Sequence, residues 1–360
     1  MKTEPFSRDE PHAIMICGHG SRSTAGCAEL KSFVDKFRAM LAPAVVEYGY
    51  LEFAQPIIRD GLDRLREQGF HRIVAVPGML FAAGHAKNDI PAVLNTYMAE
   101  YPEMDIRYGR EFGIDPKMIN AAAARIEAEI GHLSREERQQ TALVVVGRGA
   151  SDPDANSNIS KITRMLWEGL GLGWAETVYS GVTFPLVGAG LEQVTKLGFK
   201  RVVVFPYFWF TGILIERIHD AINKVEAANP EIEFLRAQYL SDHPMVLATL
   251  AERVDEVFEE RANMNCQMCK YRTQIIGFEE QVGLAQESHH HHAEGAGTGV
   301  DPSDCTWCED ACIGLCTAKN PNDDHHHHHD DDHSHDHDHH HHPYPHADHP
   351  MGPTSMFKKQ

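Results

Sequence analysis

Short apolar runs rich in Val, Ile and Ala alternate with longer stretches whose apolar positions recur every three or four residues, and the alternation continues to about residue 260. The short runs predict strands at Ala13–Cys17, Val45–Tyr50, Arg72–Val76, Asp105–Tyr108, Ala142–Val146, Glu176–Ser180, Arg201–Phe205 and Glu233–Arg236. Between them the helical period is clearest at Ala28–Met40, Ile57–Glu67, Ile90–Glu100 and Pro116–Ile130. Strand and helix in strict alternation imply an α/β fold with a doubly wound parallel sheet. Such sheets bind ligands beyond the carboxyl ends of their strands, and candidate chemistry is therefore sought there.

The pattern also repeats. The segment QGFHRIVAVPGMLFAAGHAKNDI from Gln68 resembles LGFKRVVVFPYFWFTGILIERIHDAI from Leu197, which carries Gly69 onto Gly198, a shift of 129 residues. The same shift carries Gly18-His19-Gly20 onto Gly147-Arg148-Gly149, and AEYPEMDI matches AANPEIEF with one residue deleted. Two tandem doubly wound parallel-sheet domains are expected, at residues 10–135 and 139–262, joined by the polar segment SREERQQ. A Cys-rich region at 263–320 follows, then a largely disordered His/Asp-rich tail at 321–360.

Composition narrows the classes. Hydrophobic residues make up 42% of the chain, enough for a sizeable core. No run of about 18 uncharged apolar residues would span a membrane. The opening MKTEPFSRDEPH lacks the apolar core of a signal peptide, so a cytoplasmic address is expected. The net charge of −19 disfavours nucleic acid. About half of that excess lies in His289–Gln360, which holds 13 acidic and 3 basic residues. No nucleotide-binding motif is present, and the sequence leaves oligomerisation open.

Two histidines stand where a strand-end site would be. His19 follows the first predicted strand in CGHGSR, and its flanking glycines let the backbone turn sharply. His85 follows the third strand in PGMLFAAGHAKNDIP. Each alone is as well explained by an ordinary loop or helix-capping role. The repeat replaces them with Arg148 and Leu214, however, and packing would seldom require both exchanges. One chemically active half and one degenerate half are expected. Glu52, in YGYLEFAQP after the second strand, is a third candidate, and its repeat partner falls in SGVTFPL, which has no acid. A His/His/Glu set suits a divalent ion, with an imidazole also able to take a proton.

Strand–GHGSR, LEFAQP and VPGMLFAAGHAKNDIP together resemble the class II chelatases acting on sirohydrochlorin, a group of siroheme ferrochelatases and cobaltochelatases. The likeness covers about residues 12–262. The duplication, followed by MNCQMCKYR and a His-rich tail, is similar to the long-form cobaltochelatases. The resemblance implies insertion of a divalent metal, Co(II) by preference, into sirohydrochlorin, with His19 and His85 binding metal and removing protons. It also implies tetrapyrrole contacts from Glu52 and from Leu80, Phe81, Ala82, Ala83 and Gly84. Arg22, Lys87, Arg148 and Arg217 are candidate partners for the substrate's carboxylates, each with a solvated surface role as its competitor. Ferrous iron is the rival metal, and a metal-storage or metallochaperone protein is the rival from another class.

Six cysteines crowd the C-terminal region. Cys266-x-x-Cys269 has ligand spacing, and Cys305, Cys308, Cys312 and Cys316 would share one helix face. An iron–sulfur cluster is favoured by the resemblance and by the surplus of cysteines, and zinc is the competitor. Cys17 and Cys27 are expected as small core residues. The tail region carries 18 of the 25 histidines between His289 and His349, and it is expected to bind divalent metal ions for storage or delivery.

Overall fold

The computed structural model describes residues 6–264. The first half runs β1 (Ala13–Gly18), α1 (Thr24–Leu41), β2 (Val45–Tyr50), α2 (Ile58–Glu67) and β3 (Arg72–Gly78). A π-turn (His85–Asp89) then leads into α3 (Ile90–Glu100), followed by β4 (Asp105–Tyr108) and α4 (Pro116–Ile130). A short α5 (Arg135–Gln139) opens the second half, β5 (Thr141–Gly147), α6 (Pro153–Leu170), β6 (Trp174–Tyr179) and α7 (Val187–Thr195). It closes with β7 (Arg201–Pro206), α8 (Ile213–Ala228), β8 (Glu233–Arg236) and α9 (Pro244–Phe258).

All strand pairs are parallel, in the orders β2-β1-β3-β4 and β6-β5-β7-β8. The central strands β1 and β5 are buried throughout, because helices cover both faces of each sheet. Where boundaries differ from expectation the reason is local. Helix α1 starts at Thr24, ahead of its apolar stripe, because the Ser23 hydroxyl accepts from the Gly26 N–H and caps it. The polar SREERQQ segment contains α5, started by a capping box between Ser134 and Glu137. It has no buried face, so hydrophobic period cannot reveal it.

The last helix of each half crosses to the other sheet. Helix α4 packs on α9, α6 and β7, whereas α9 packs on β3 and α1. One inner core consequently joins Ile16, Val76 and Ile126 to Val145, Phe205 and Leu250. Two outer cores stay separate, around Met15, Leu62 and Tyr97 in one and Val144, Leu191 and Ile218 in the other. The chain divides in sequence between α4 and α5, but the packing does not divide there.

Fully buried Arg253 fixes the crossing of α9. Its guanidinium donates to Asp115 Oδ2 at 2.7 Å, Glu256 Oε1 at 2.7 Å and the Phe112 carbonyl at 2.8 Å. Breaking such a buried pair costs about 3–5 kcal/mol, so α9 is held to the loop that carries Phe112 and Asp115. That loop follows β4, next to the strand end bearing His85. No helix among the described residues is long and apolar enough to cross a membrane.

Candidate metal centre

The register of the first sheet sets Gly18 of β1 beside both Tyr50 of β2 and Gly78 of β3, so three strand-end loops emerge side by side. The first two are tied through their backbones. Leu51 N–H donates to the Gly18 carbonyl at 2.8 Å and Glu52 N–H to the His19 carbonyl at 3.0 Å. Gly20 makes this approach possible. Its φ is +105°, and a Cβ there would lie 1.6 Å from the Glu52 carbonyl oxygen, so any side chain would force the two loops apart. Phe53, with φ of 63°, then turns the chain away.

His19, Glu52 and His85 converge. One ligand atom from each lies within 4.8 Å of the other two, and no other such group of three occurs among the described residues. The two imidazoles meet edge to face with centroids 4.5 Å apart. His19 Nε2 lies 3.4 Å from Glu52 Oε1 and has no hydrogen-bond partner among the described residues, although the atom is buried. A buried, unpaired imidazole nitrogen facing a carboxylate and a second imidazole is a metal-ligand arrangement. His19 Nδ1 meets the Gly20 carbonyl at 3.1 Å, an N–H···O contact that leaves the Nε2 lone pair free. Burial, and secondarily the nearby His85, lower the His19 pKa from 6.5 to about 3, so the ring is neutral at physiological pH.

His85 opens the π-turn, in which Ile90 N–H reaches the His85 carbonyl. The turn brings its Nδ1 to 2.8 Å from Asp89 Oδ2. A carboxylate on Nδ1 places the ring proton there and aims Nε2 at the cluster. Asn88 Nδ2 donates in turn to Asp89 Oδ1 at 3.0 Å. Asp89 was not among the residues expected from sequence. The His-x-x-x-Asp spacing in HAKND, one helical turn, is the signal that exposes it.

The loop before His85 divides its roles. Leu80 and Phe81 pack against the inner core, and the Phe81 ring stacks on Tyr207 of the second half at 5.5 Å. Ala82 is buried and Ala83 half-buried. Gly84 is half-buried, and a Cβ built there meets nothing within 4 Å. Among the candidate cations, Lys87 is neither solvated nor open to a ligand. It is buried and paired with Asp152 and Asp154 of the second half, a correction to both readings of that residue. Arg22 lies over the Phe53 ring at 4.9 Å, and Arg148 is exposed. Cys17 is fully buried and burial pushes its thiol pKa up, which makes it an inert core residue. Cys27 is half-buried and its Sγ–H supports the GHGSR loop through the Ser21 carbonyl at 3.3 Å. Cys266, Cys269, Cys305, Cys308, Cys312, Cys316 and the histidine-rich tail lie outside the described residues.

The chain matches the CbiX family twice, over residues 13–129 and 142–257. It is 38% identical to a sirohydrochlorin cobaltochelatase of Priestia megaterium over 265 residues, 73% of this chain and 86% of the relative. It is 29% identical to a sirohydrochlorin ferrochelatase of the same organism, covering 71% of this chain and 94% of the relative. The solved structure of the sirohydrochlorin chelatase SirB from Bacillus subtilis subspecies spizizenii, in complex with cobalt, superposes with a TM-score of 0.59 at 29% identity. That match covers 70% of this chain and 97% of the other.

Proposed function

Because the chain belongs to the CbiX family, we propose that it is a sirohydrochlorin chelatase and that the metal it inserts is Co(II). The observation that carries the reading is the convergence of His19, Glu52 and His85 at three adjacent strand ends, in the first half only. Metallation removes two pyrrole N–H protons and strips water from the ion. A neutral His19 holds the ion without competition from a proton, and Glu52 offsets its charge. His85 is the ring placed to accept a proton, because Asp89 lies on its other nitrogen to stabilise the imidazolium. The absence of any atom within 4 Å of a Cβ built on Gly84 supports placing the substrate's approach beside that residue.

Cobalt is favoured by the more similar of the two relatives and by the histidine-rich tail, which suits Co better than ferrous iron. The decisive experiment mixes purified protein with sirohydrochlorin and either Co(II) or Fe(II) and follows the absorbance change against a no-enzyme control. Faster insertion of cobalt is expected. Faster insertion of iron would reassign the metal, and no insertion of either would leave a metal-storage protein.

The Cys-rich region belongs to the same proposal as an iron–sulfur site, with Cys266 and Cys269 joined by two of the four later cysteines. Acid-labile sulfide in protein isolated without air tests it, and one tightly bound zinc without sulfide would replace it. The tail is proposed to raise the local supply of ion through its tether. Truncation after Cys316 is then expected to slow insertion at scarce cobalt and to spare it at saturating cobalt.

A further inference from the structure

The second half has no triad of its own among the described residues, yet it reaches the turn that carries His85. Lys87, two residues on from His85, buries its ammonium against two carboxylates from the start of α6. Nζ lies 2.6 Å from Asp152 Oδ2 and 3.2 Å from Asp154 Oδ2, and all three side chains are at most 7% exposed. Asp152 serves twice, since its Oδ1 accepts the Asp154 N–H at 3.0 Å and caps α6. The residue before Lys87 is pinned within the first half, where the Tyr108 hydroxyl donates to the Ala86 carbonyl at 3.0 Å.

The cluster runs in one direction only. The repeat shift of 129 residues carries Lys87 onto Glu216, which is exposed, and sets Ser23 and Ala25 opposite Asp152 and Asp154. Ser23 keeps the capping role at α1 but has no charge to offer. The buried Arg253–Asp115 pair is also unmatched in the other direction, so asymmetry alone assigns no role. What sets the Lys87 cluster apart is its place inside the π-turn, two residues from His85.

We infer that Asp152 is a positioning residue for His85: through Lys87 it locks the π-turn, and so sets the distance of His85 Nε2 from His19 and Glu52. This rests on the triad reading given above. Metal–ligand bonds of about 2.0–2.2 Å leave little slack, so a small drift of the turn would take His85 out of coordination. It also gives the second half a task in the reaction, as the carrier of the anionic clamp.

Asp152→Asn in the full-length chain is the test, because asparagine caps a helix as well as aspartate while removing the charge. The Co(II) absorption difference between each protein and its own His85→Ala variant isolates the triad from cobalt held by the tail. We expect Asp152→Asn to lose most of that difference spectrum and to lower kcat about 10- to 100-fold, with the KM for sirohydrochlorin changed less than about twofold. A lower melting temperature with an intact difference spectrum and kcat would overturn the inference and leave a merely structural ion pair. If wild type and His85→Ala give the same spectrum, the triad reading fails and the clamp with it. Should Asp152→Asn not fold, Asp154→Asn removes the longer contact, and the same readouts are expected to move in the same direction by less.

Discussion

The strand-end site of the first half and its counterpart in the second are built on nearly the same backbone. Gly20 and Gly149 both take positive φ, +105° and +86°, and in both a Cβ would strike a carbonyl of the neighbouring loop. Phe53 and Val182 follow with φ of 63° and 72°, and isolated parallel bridges link Tyr50 to Ile57 and Tyr179 to Leu186. On that shared frame the side chains differ throughout: His19, Glu52, His85 and Asp89 stand where the second half has Arg148, Gly181, Leu214 and Ile218. A small concavity lined by Arg148, Ser180, Gly181, Val182 and Leu214 is what remains there. The comparison teaches that the two halves share a loop frame, on which the side chains of the proposed metal chemistry form a separate layer.

The largest effects should come from that layer. His19→Ala and His85→Ala are each expected to lower Co(II) insertion by about 10²–10⁴-fold while the circular dichroism spectrum stays that of the wild type. Wild-type turnover in both variants would break the contrast between the halves, since nothing chemical would then distinguish them. The paired change Arg148→Ala is expected to leave the fold equally intact.

Gly20→Ala against Gly149→Ala separates frame from chemistry. Each forces an L-residue into a positive-φ position and a Cβ against a carbonyl, 1.6 Å from that of Glu52 in one and 2.1 Å from that of Gly181 in the other. Strain of this kind is on the order of 1–3 kcal/mol, and urea unfolding should record a comparable loss in both. Turnover should collapse only in Gly20→Ala, where the displaced loop carries a ligand. An equal collapse in Gly149→Ala would show that the second frame takes part in the reaction directly.

How much of this was legible beforehand depended on whether the physics was local. The strands were, because fully buried segments such as ALVVV leave little choice of residue. The triad was, because a repeat exposes side chains that its other copy lacks. The crossing of α4 and α9 was not: an apolar stripe shows that a helix is covered but not by which sheet. The burial of Lys87 was hidden for the same reason, since its acids lie 65 and 67 residues away in sequence. Asp89 is less apparent although its signal is local, because it lies in a turn that widens from α to π just before α3.

A smaller effect concerns pH. Unfolded histidine takes a proton near pH 6.5, whereas His19 in the metal-free fold takes one only near pH 3. Between those values the unfolded chain binds the extra proton, so His19 leaves stability untouched above about pH 6.5 and lowers it as the pH falls toward 3. The loss is at most about 1.4 kcal/mol for each pH unit crossed. His19→Gln should therefore flatten the acid limb of the unfolding curve measured between about pH 7 and pH 5, whereas Arg148→Gln should leave its slope nearly as it is. A His19→Gln slope equal to wild type would mean that the ring is not held neutral by its burial.

The smallest expected effect is the most direct test of degeneracy. Arg148→His in a His19→Ala background restores an imidazole to the second frame, and no insertion should return. Gly181 brings no carboxylate where Glu52 stands, Leu214 no second imidazole, and Ile218 nothing to orient one. A single ligand cannot hold an ion that takes three protein ligands in catalytic sites. Adding Gly181→Glu and Leu214→His supplies the missing donors, and this triple variant should regain a Co(II) absorption signal. Turnover should still lag the first site, because α8 runs there as an ordinary α-helix, and exposed Glu216 stands where Lys87 meets its two carboxylates. Insertion by Arg148→His alone would mean that the second frame needs only one donor, and the asymmetry between the halves would have to lie elsewhere than in the triad.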